Sequence, residues 1–142
     1  MDSTVIRNIL KKHWGYESFR PLQEDIIMSV LSGRDTLGLM PTGGGKSITF
    51  QVPAMALPGL TVVVTPLISL MKDQVDNLRR RRVKAVYLHS GMTVRESKIA
   101  REKLINGGAK LLYVSPERLR NQRFIQELRM TEVSLIVVDE AH

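Results

Sequence analysis

The chain is 142 residues long, enough for one domain with a real core. Its 43% hydrophobic and 25% charged residues are those of a soluble globular protein, and no apolar run nears the ~20 residues that a membrane span needs. The absence of cysteine excludes disulfides and thiolate-bound zinc within the chain, and the polar start Met1-Asp2-Ser3-Thr4 has no signal-peptide pattern. The expectation is a cytoplasmic protein, nucleoid-associated if bacterial, with no membrane partner. The net charge of +7 is uneven: residues 71–130 hold 15 basic and 6 acidic side chains, whereas residues 131–142 hold 3 acidic and no basic ones. A polyanionic partner and solvated basic helix faces are equally good readings of that excess.

The elements alternate along the chain. Val5, Ile6, Ile9 and Leu10 mark a first helix capped by Ser3 or Thr4. Pro21 suits the start of a second, with Leu22, Ile26, Ile27, Val30 and Leu31 as its apolar face and Gly33 as its stop. Asp35–Met40 reads as a short buried strand, and a helix follows it and ends by Pro58-Gly59. Leu60–Thr65 is a β-branched strand. Leu67, Met71, Val75 and Leu78 recur at helical spacing, and Arg79–Arg82 closes that helix where positive charge suits the dipole. Ala85–Leu88 is a strand. Thr93 with Glu96 forms a capping box, and Gly107 ends the helix. Leu111–Val114 is a strand, Ser115-Pro116 starts a helix through Leu119 and Phe124, and Leu135–Val138 is the last strand. Strands alternating with helices imply an α/β fold with a mostly parallel sheet flanked by helices.

The sharpest chemical feature is Met40-Pro41-Thr42-Gly43-Gly44-Gly45-Lys46-Ser47, between an expected strand and an expected helix. Glycines let successive backbone N–H groups converge on a phosphate, and the helix N-terminus adds its dipole. Thr42, Gly43, Gly44 and Gly45 form the cradle, Lys46 reaches the β- and γ-phosphates, and Ser47 ligates Mg²⁺. The usual pattern begins with glycine, where this chain has Met40. The plainer reading is a glycine turn joining strand to helix. A second feature, Leu135-Ile136-Val137-Val138-Asp139-Glu140-Ala141-His142, delivers two carboxylates at a strand's C-terminal end, where open α/β sheets bind ligands. Asp139 suits Mg²⁺, and Glu140 suits the orientation and deprotonation of an attacking water. Taken alone, the pair reads equally well as a cap on the next helix.

Together these motifs resemble a DEAH-type superfamily 2 helicase. Trp14-Gly15-Tyr16-Glu17-Ser18-Phe19-Arg20-Pro21-Leu22-Gln23 narrows the resemblance to the adenine-reading motif of RecQ-family DNA helicases, which commonly have phenylalanine where Trp14 stands. The resemblance implies that Gln23 and Arg20 hydrogen-bond adenine and that Tyr16 stacks on it. A glutamine amide donates and accepts at once, which suits adenine's edge. The plainer reading is a helix start with Gln23 solvated.

Val62-Val63-Val64-Thr65-Pro66-Leu67-Ile68-Ser69-Leu70-Met71-Lys72-Asp73-Gln74 and Tyr113-Val114-Ser115-Pro116-Glu117-Arg118-Leu119 resemble the family's next motifs. By resemblance they grip single-stranded DNA, with Ser69, Lys72, Ser115 and Arg118 as candidates. For any one of these, a helix cap or a solvated side chain is an equal alternative. Arg79–Arg82 reads as a solvated helix end in preference to a specific DNA site.

The resemblance implies a RecA-like P-loop NTPase fold, incomplete in this chain, with N-terminal helices and adenine motif over 1–34 and the first helicase ATP-binding domain over 35–142. A strand expected between those leading to Lys46 and to Asp139 is absent from the sequence, so a gap in the central sheet is expected. The implied activity is ATP·Mg²⁺-driven 3′→5′ DNA unwinding by the full-length protein, with single-stranded or forked DNA as its partner and the isolated chain binding nucleotide weakly and unwinding nothing. The alternatives are a non-catalytic ATP- and DNA-binding module and a small-molecule P-loop kinase. The last needs an acceptor pocket and a lid that nothing in the sequence suggests.

Overall fold

Continuous apolar runs become parallel strands and periodic stretches become helices over the residues that the computed structural model describes, 3–36 and 45–139. They fall into two units, Met1–Leu57 and Pro58–His142.

The first unit contains three helices: α1 Ser3–Trp14, α2 Gln23–Leu31 and α3 Ile48–Ala56. In α1 the residues Ile6, Leu10 and Trp14, four apart, form one buried stripe. Lys11, Lys12 and His13 occupy its last turn, where cations suit the helix dipole. Both α1 and α2 pack against α3, whose Phe50, Val52 and Ala54 are buried. The start of α2 corrects the sequence reading. The helix begins at Gln23, not Pro21, and Leu22 stands before it in the left-handed region with φ 73°. That turn rotates Leu22 outward to 60% exposure, so Ile27 is the one apolar residue of α2 that is fully buried. Of the expected strand Asp35–Met40, Asp35 and Thr36 are not in strand, and the remainder lies outside the described residues.

The second unit is built on four parallel strands, β1 Leu60–Val64, β2 Ala85–Leu88, β3 Leu111–Val114 and β4 Val133–Val138, in the order β2-β3-β1-β4. Its helices are α4 Ile68–Arg80, α5 Val94–Asn106 and α6 Gln122–Arg129, with a short 3₁₀ turn at Pro116–Arg120. Strand side chains alternate between the faces. Leu60, Val62, Val64, Leu112 and Val114 form one core with Ala100 of α5 and Phe124 of α6. Burying a side chain such as Phe124 contributes about 1.5–3 kcal/mol. On the other face, Tyr113 donates its hydroxyl to Oε1 of Gln74 in α4 at 2.6 Å, and Met71, Val75 and Leu78 turn inward at the expected spacing. Leu67 precedes α4 in extended conformation and is 47% exposed, outside that apolar stripe.

The start of α5 and the end of α4 form where the sequence marks them. Thr93 Oγ1 accepts from the Glu96 N–H at 3.1 Å, and Glu96 Oε1 accepts from the Thr93 N–H at 2.9 Å, completing the capping box of α5. The end of α4 is less ordinary. The Val83 N–H donates to the Leu78 carbonyl and the Arg82 N–H to that of Arg79, a Schellman turn with Leu78 and Val83 both buried. Its left-handed position, φ 65°, is held by Arg82, where glycine is usual. An arginine there costs about 1–2 kcal/mol relative to a right-handed residue.

Among the described residues β4 pairs only with β1. Ile136 and Val138, opposite Val62 and Val64, remain 67% and 62% exposed. The expected gap in the sheet involves a strand outside the described residues.

Candidate nucleotide-binding site and strand-end loops

In the first unit the segment before α2 and the end of the glycine loop are joined. The Gln23 side chain is 2% exposed. Its Oε1 accepts from the Arg20 N–H at 2.8 Å, and its Nε2 donates to the Gly45 carbonyl at 3.0 Å. The solvated reading of Gln23 is therefore excluded. A primary amide retains one N–H and one lone pair beyond these bonds, the donor–acceptor pair that an adenine edge requires. Arg20 and Tyr16 are exposed nearby in sequence, Tyr16 at 49%.

Gly45 has no freedom to be anything else. Its φ is +76°, and a Cβ there would lie 2.4 Å from Gln23 Nε2. Its carbonyl also accepts from the Ile48 N–H at 3.3 Å, so the residue links Gln23 to the first turn of α3. Lys46 and Ser47 follow, half-buried, directly before the helix. Their carbonyls accept from Thr49 and Gln51 N–H groups at 3.0 and 2.9 Å, which fixes both residues at a helix N-terminus, the position where backbone donors and dipole favour an anion. Thr42, Gly43 and Gly44 lie outside the described residues.

In the second unit the strands deliver Thr65, Ser115 and Asp139 at their C-terminal ends. The Thr65 N–H donates to Val114 at 3.0 Å, that of Ser115 to Leu88 at 3.3 Å and that of Asp139 to Val64 at 2.9 Å, so the ladder continues one residue past each strand. Asp139 is 6% exposed. Glu140 lies outside the described residues. Among the described residues no group of three or more His, Cys, Asp or Glu side chains could hold a metal. Mg²⁺ in a nucleotide site takes only one or two protein oxygens and completes its shell with phosphates and water; the Ser47 hydroxyl in the first unit and the Asp139 carboxylate in the second are each an oxygen donor of the kind it accepts.

The four DNA candidates separate by environment. Ser69 and Lys72 are exposed on the first turns of α4. Ser115 is 1% exposed; its hydroxyl makes no cap bond to the 3₁₀ turn and has no hydrogen-bond partner. Arg118 is half-buried and turned into the protein, where Nη2 donates to Ser97 Oγ at 2.9 Å and more weakly to the His89 carbonyl at 3.5 Å. Burial, then the neighbouring Arg101, lowers its pKa, with Glu127 opposing, yet a guanidinium stays charged at neutral pH.

Sequence reasoning missed His89. It is 6% exposed, stacks on Tyr87 at 6.0 Å with rings 7° apart, and accepts from the Gly91 N–H at Nδ1 over 3.1 Å. An accepting Nδ1 belongs to neutral imidazole. Burial foremost, then Lys72 and Arg118, lowers its pKa from 6.5, and Glu96 opposes them. No local pattern signals the lowered pKa, because Lys72 and Arg118 come from elements distant in sequence.

Comparison with known proteins finds relatives over nearly the whole chain. A DEAD/DEAH box helicase family model matches residues 20–142. The chain is 47% identical over 135 residues to the ATP-dependent DNA helicase RecQ of Haemophilus influenzae, covering 95% of this chain and 22% of that protein. It is 44% identical over 137 residues to RecQ of Bacillus subtilis, covering 96% of this chain and 23% of that protein. With the ATP-dependent DNA helicase Q-like 5 of Arabidopsis thaliana it shares 46% over 138 residues, 96% of this chain and 15% of that protein. The chain thus spans under a quarter of the length of these relatives. The parallel sheet with its flanking helices is a RecA-like α/β fold, and the family match shows that the chain belongs to the DEAD/DEAH box helicase family, with RecQ helicases among the proteins it resembles.

Proposed function

We propose that this chain carries the ATP·Mg²⁺ half-site of an ATP-dependent DNA helicase that binds single-stranded or forked DNA and unwinds duplex in the 3′→5′ direction. The observation that carries the reading is the Gln23–Gly45 bond, which ties the adenine-motif segment to the last glycine of the phosphate loop within one unit. Residues 1–34 contribute the adenine contacts and residues 35–142 the phosphate and metal contacts.

In this mechanism Gln23 and Arg20 hydrogen-bond the adenine and Tyr16 stacks on it. Thr42, Gly43, Gly44 and Gly45 present N–H groups to the β- and γ-phosphates, and Lys46 balances their charge. Ser47 and Asp139 hold Mg²⁺, which would neutralise charge developing on the phosphates. Glu140 positions the attacking water and takes its proton. Ser69, Lys72, Ser115 and Arg118 line the DNA path at the strand ends. The unpaired Ser115 hydroxyl supports a ligand there, since a buried hydroxyl without a partner costs about 1–3 kcal/mol.

The test is ATP hydrolysis with and without single-stranded DNA, beside Lys46→Ala and Glu140→Gln, in this chain and in the full-length protein. DNA-stimulated hydrolysis by the full-length protein that both substitutions abolish supports the reading. Binding of ATP and DNA there without turnover would favour a non-catalytic module instead.

A further inference from the structure

At the N-terminal end of the sheet, away from Asp139 and Ser115, a cavity of about 400 Å³ opens beside β2. Its volume falls within the about 300–1,000 Å³ of small-molecule clefts. The buried Val83 and Val86 contribute to an apolar floor. Around it stand Arg79, Arg82, Lys84 and Lys103, and no acidic side chain lines it. None of the four forms an ion pair among the described residues; the Arg79 Nε donates to the Ala85 carbonyl at 3.0 Å.

Two explanations that need no ligand fall short. The ends of α4 and α5 meet this region, and cations there offset helix dipoles. Those dipoles amount to about −0.5 charge each, against four full positive charges. Solvation of a helix end does not explain Arg82 either. It sits at φ 65°, in a turn that glycine would complete without strain. A strained residue kept at the rim of a cavity points to a use for its side chain.

We propose that this cavity is a second nucleic-acid contact, taking one nucleotide of a single strand: phosphodiester against Arg79, Arg82, Lys84 and Lys103, base or sugar against the Val83–Val86 floor. The proposal rests on the DNA reading of the family. A nucleic-acid strand fits better than an anionic membrane, because the site is concave, Val83, Ala85 and Val86 are only 1–3% exposed, and the partly exposed Ala109 is too small to insert into lipid. It lies at the opposite end of the strands from the loops bearing Ser69, Lys72 and Ser115, so a strand reaching both must pass around the β2 edge of the sheet.

The experiment measures anisotropy of a labelled oligo-dT 20-mer with the full-length protein across a salt series, together with thermal midpoints. The parent is compared with Arg82→Gly, with the double variant Lys84→Gln/Lys103→Gln and with Lys72→Gln. Arg82→Gly raises the midpoint while weakening binding about 3–10-fold and reducing the salt slope by about 0.7. The double variant loses about tenfold or more and reduces the slope by about 1.4. If these variants bind as the parent does while Lys72→Gln weakens binding, the cavity proposal is overturned and the DNA reading stands. If the parent binds no oligonucleotide, both fall. Binding to phosphatidylserine vesicles that the same variants abolish, without oligonucleotide binding, assigns the site to a membrane and overturns the proposal.

Discussion

The Gln23 side chain donates to the carbonyl of Gly45 at 3.0 Å, and the room for that bond exists only because Gly45 has no side chain. The two residues join the segment before α2 to the end of the glycine loop. Gly45→Ala adds a methyl 2.4 Å from Gln23 Nε2 at a φ of +76°. The substitution is expected to destabilise the chain by about 1–3 kcal/mol and to weaken nucleotide binding. Urea denaturation and a fluorescent ATP analogue measure the two effects. Pairing it with Gln23→Ala relieves the clash but not the strained backbone, so recovery of stability is expected to be partial. Full recovery would show that backbone strain contributes nothing.

Arg118 presents a choice between structure and ligand. Its guanidinium brackets Ser97 of α5 and the residue after β2 through one hydroxyl and one carbonyl acceptor. Arg118→Ala removes the donor to Ser97 Oγ, while the His89 carbonyl keeps the Met92 N–H, and is expected to cost about 1–3 kcal/mol, read as a lower urea midpoint. A residue that served only as a DNA contact would lower DNA affinity with the midpoint unchanged.

His89 sets a pH dependence of stability. Its folded pKa lies below the ordinary 6.5, chiefly through burial. The unfolded chain therefore binds the proton more readily. The stability this contributes is complete above about pH 6.5 and is lost as pH falls from there through the depressed folded value. Thermal midpoints measured between pH 7.5 and about 5 are expected to fall in the parent and to fall less in His89→Gln. Parallel curves would exclude His89 as the cause.

The fold was legible where one physical signal dominated. Ala85–Leu88 and Leu111–Val114 are strands with the bounds their apolar runs suggest, because strands buried on both faces need continuous apolar residues. Thr93 and Glu96 formed the expected capping box because its bonds are local. Leu22 was misread because its helical spacing is correct, while a left-handed turn, which sequence does not mark at leucine, removes it from the helix. Arg82 was hidden for the same reason: the Schellman turn usually announces itself by glycine. In the candidate site, the residue types at Lys46, Ser47 and Asp139 were readable from motif spacing. The internal engagement of Gln23 and Arg118 was not, because their partners are 22 and 21 residues away.

The central claim is that Lys46, Ser47 and Asp139 serve one ATP·Mg²⁺. Equilibrium binding of a fluorescent ATP analogue to this chain, with and without Mg²⁺, tests it most directly, beside Lys46→Ala and Asp139→Asn. The account predicts that Mg²⁺ strengthens binding in the parent, that Lys46→Ala weakens binding under both conditions, and that Asp139→Asn removes most of the Mg²⁺ effect alone. Nucleotide binding that neither substitution changes, or a Mg²⁺ effect that survives intact in Asp139→Asn, would contradict it.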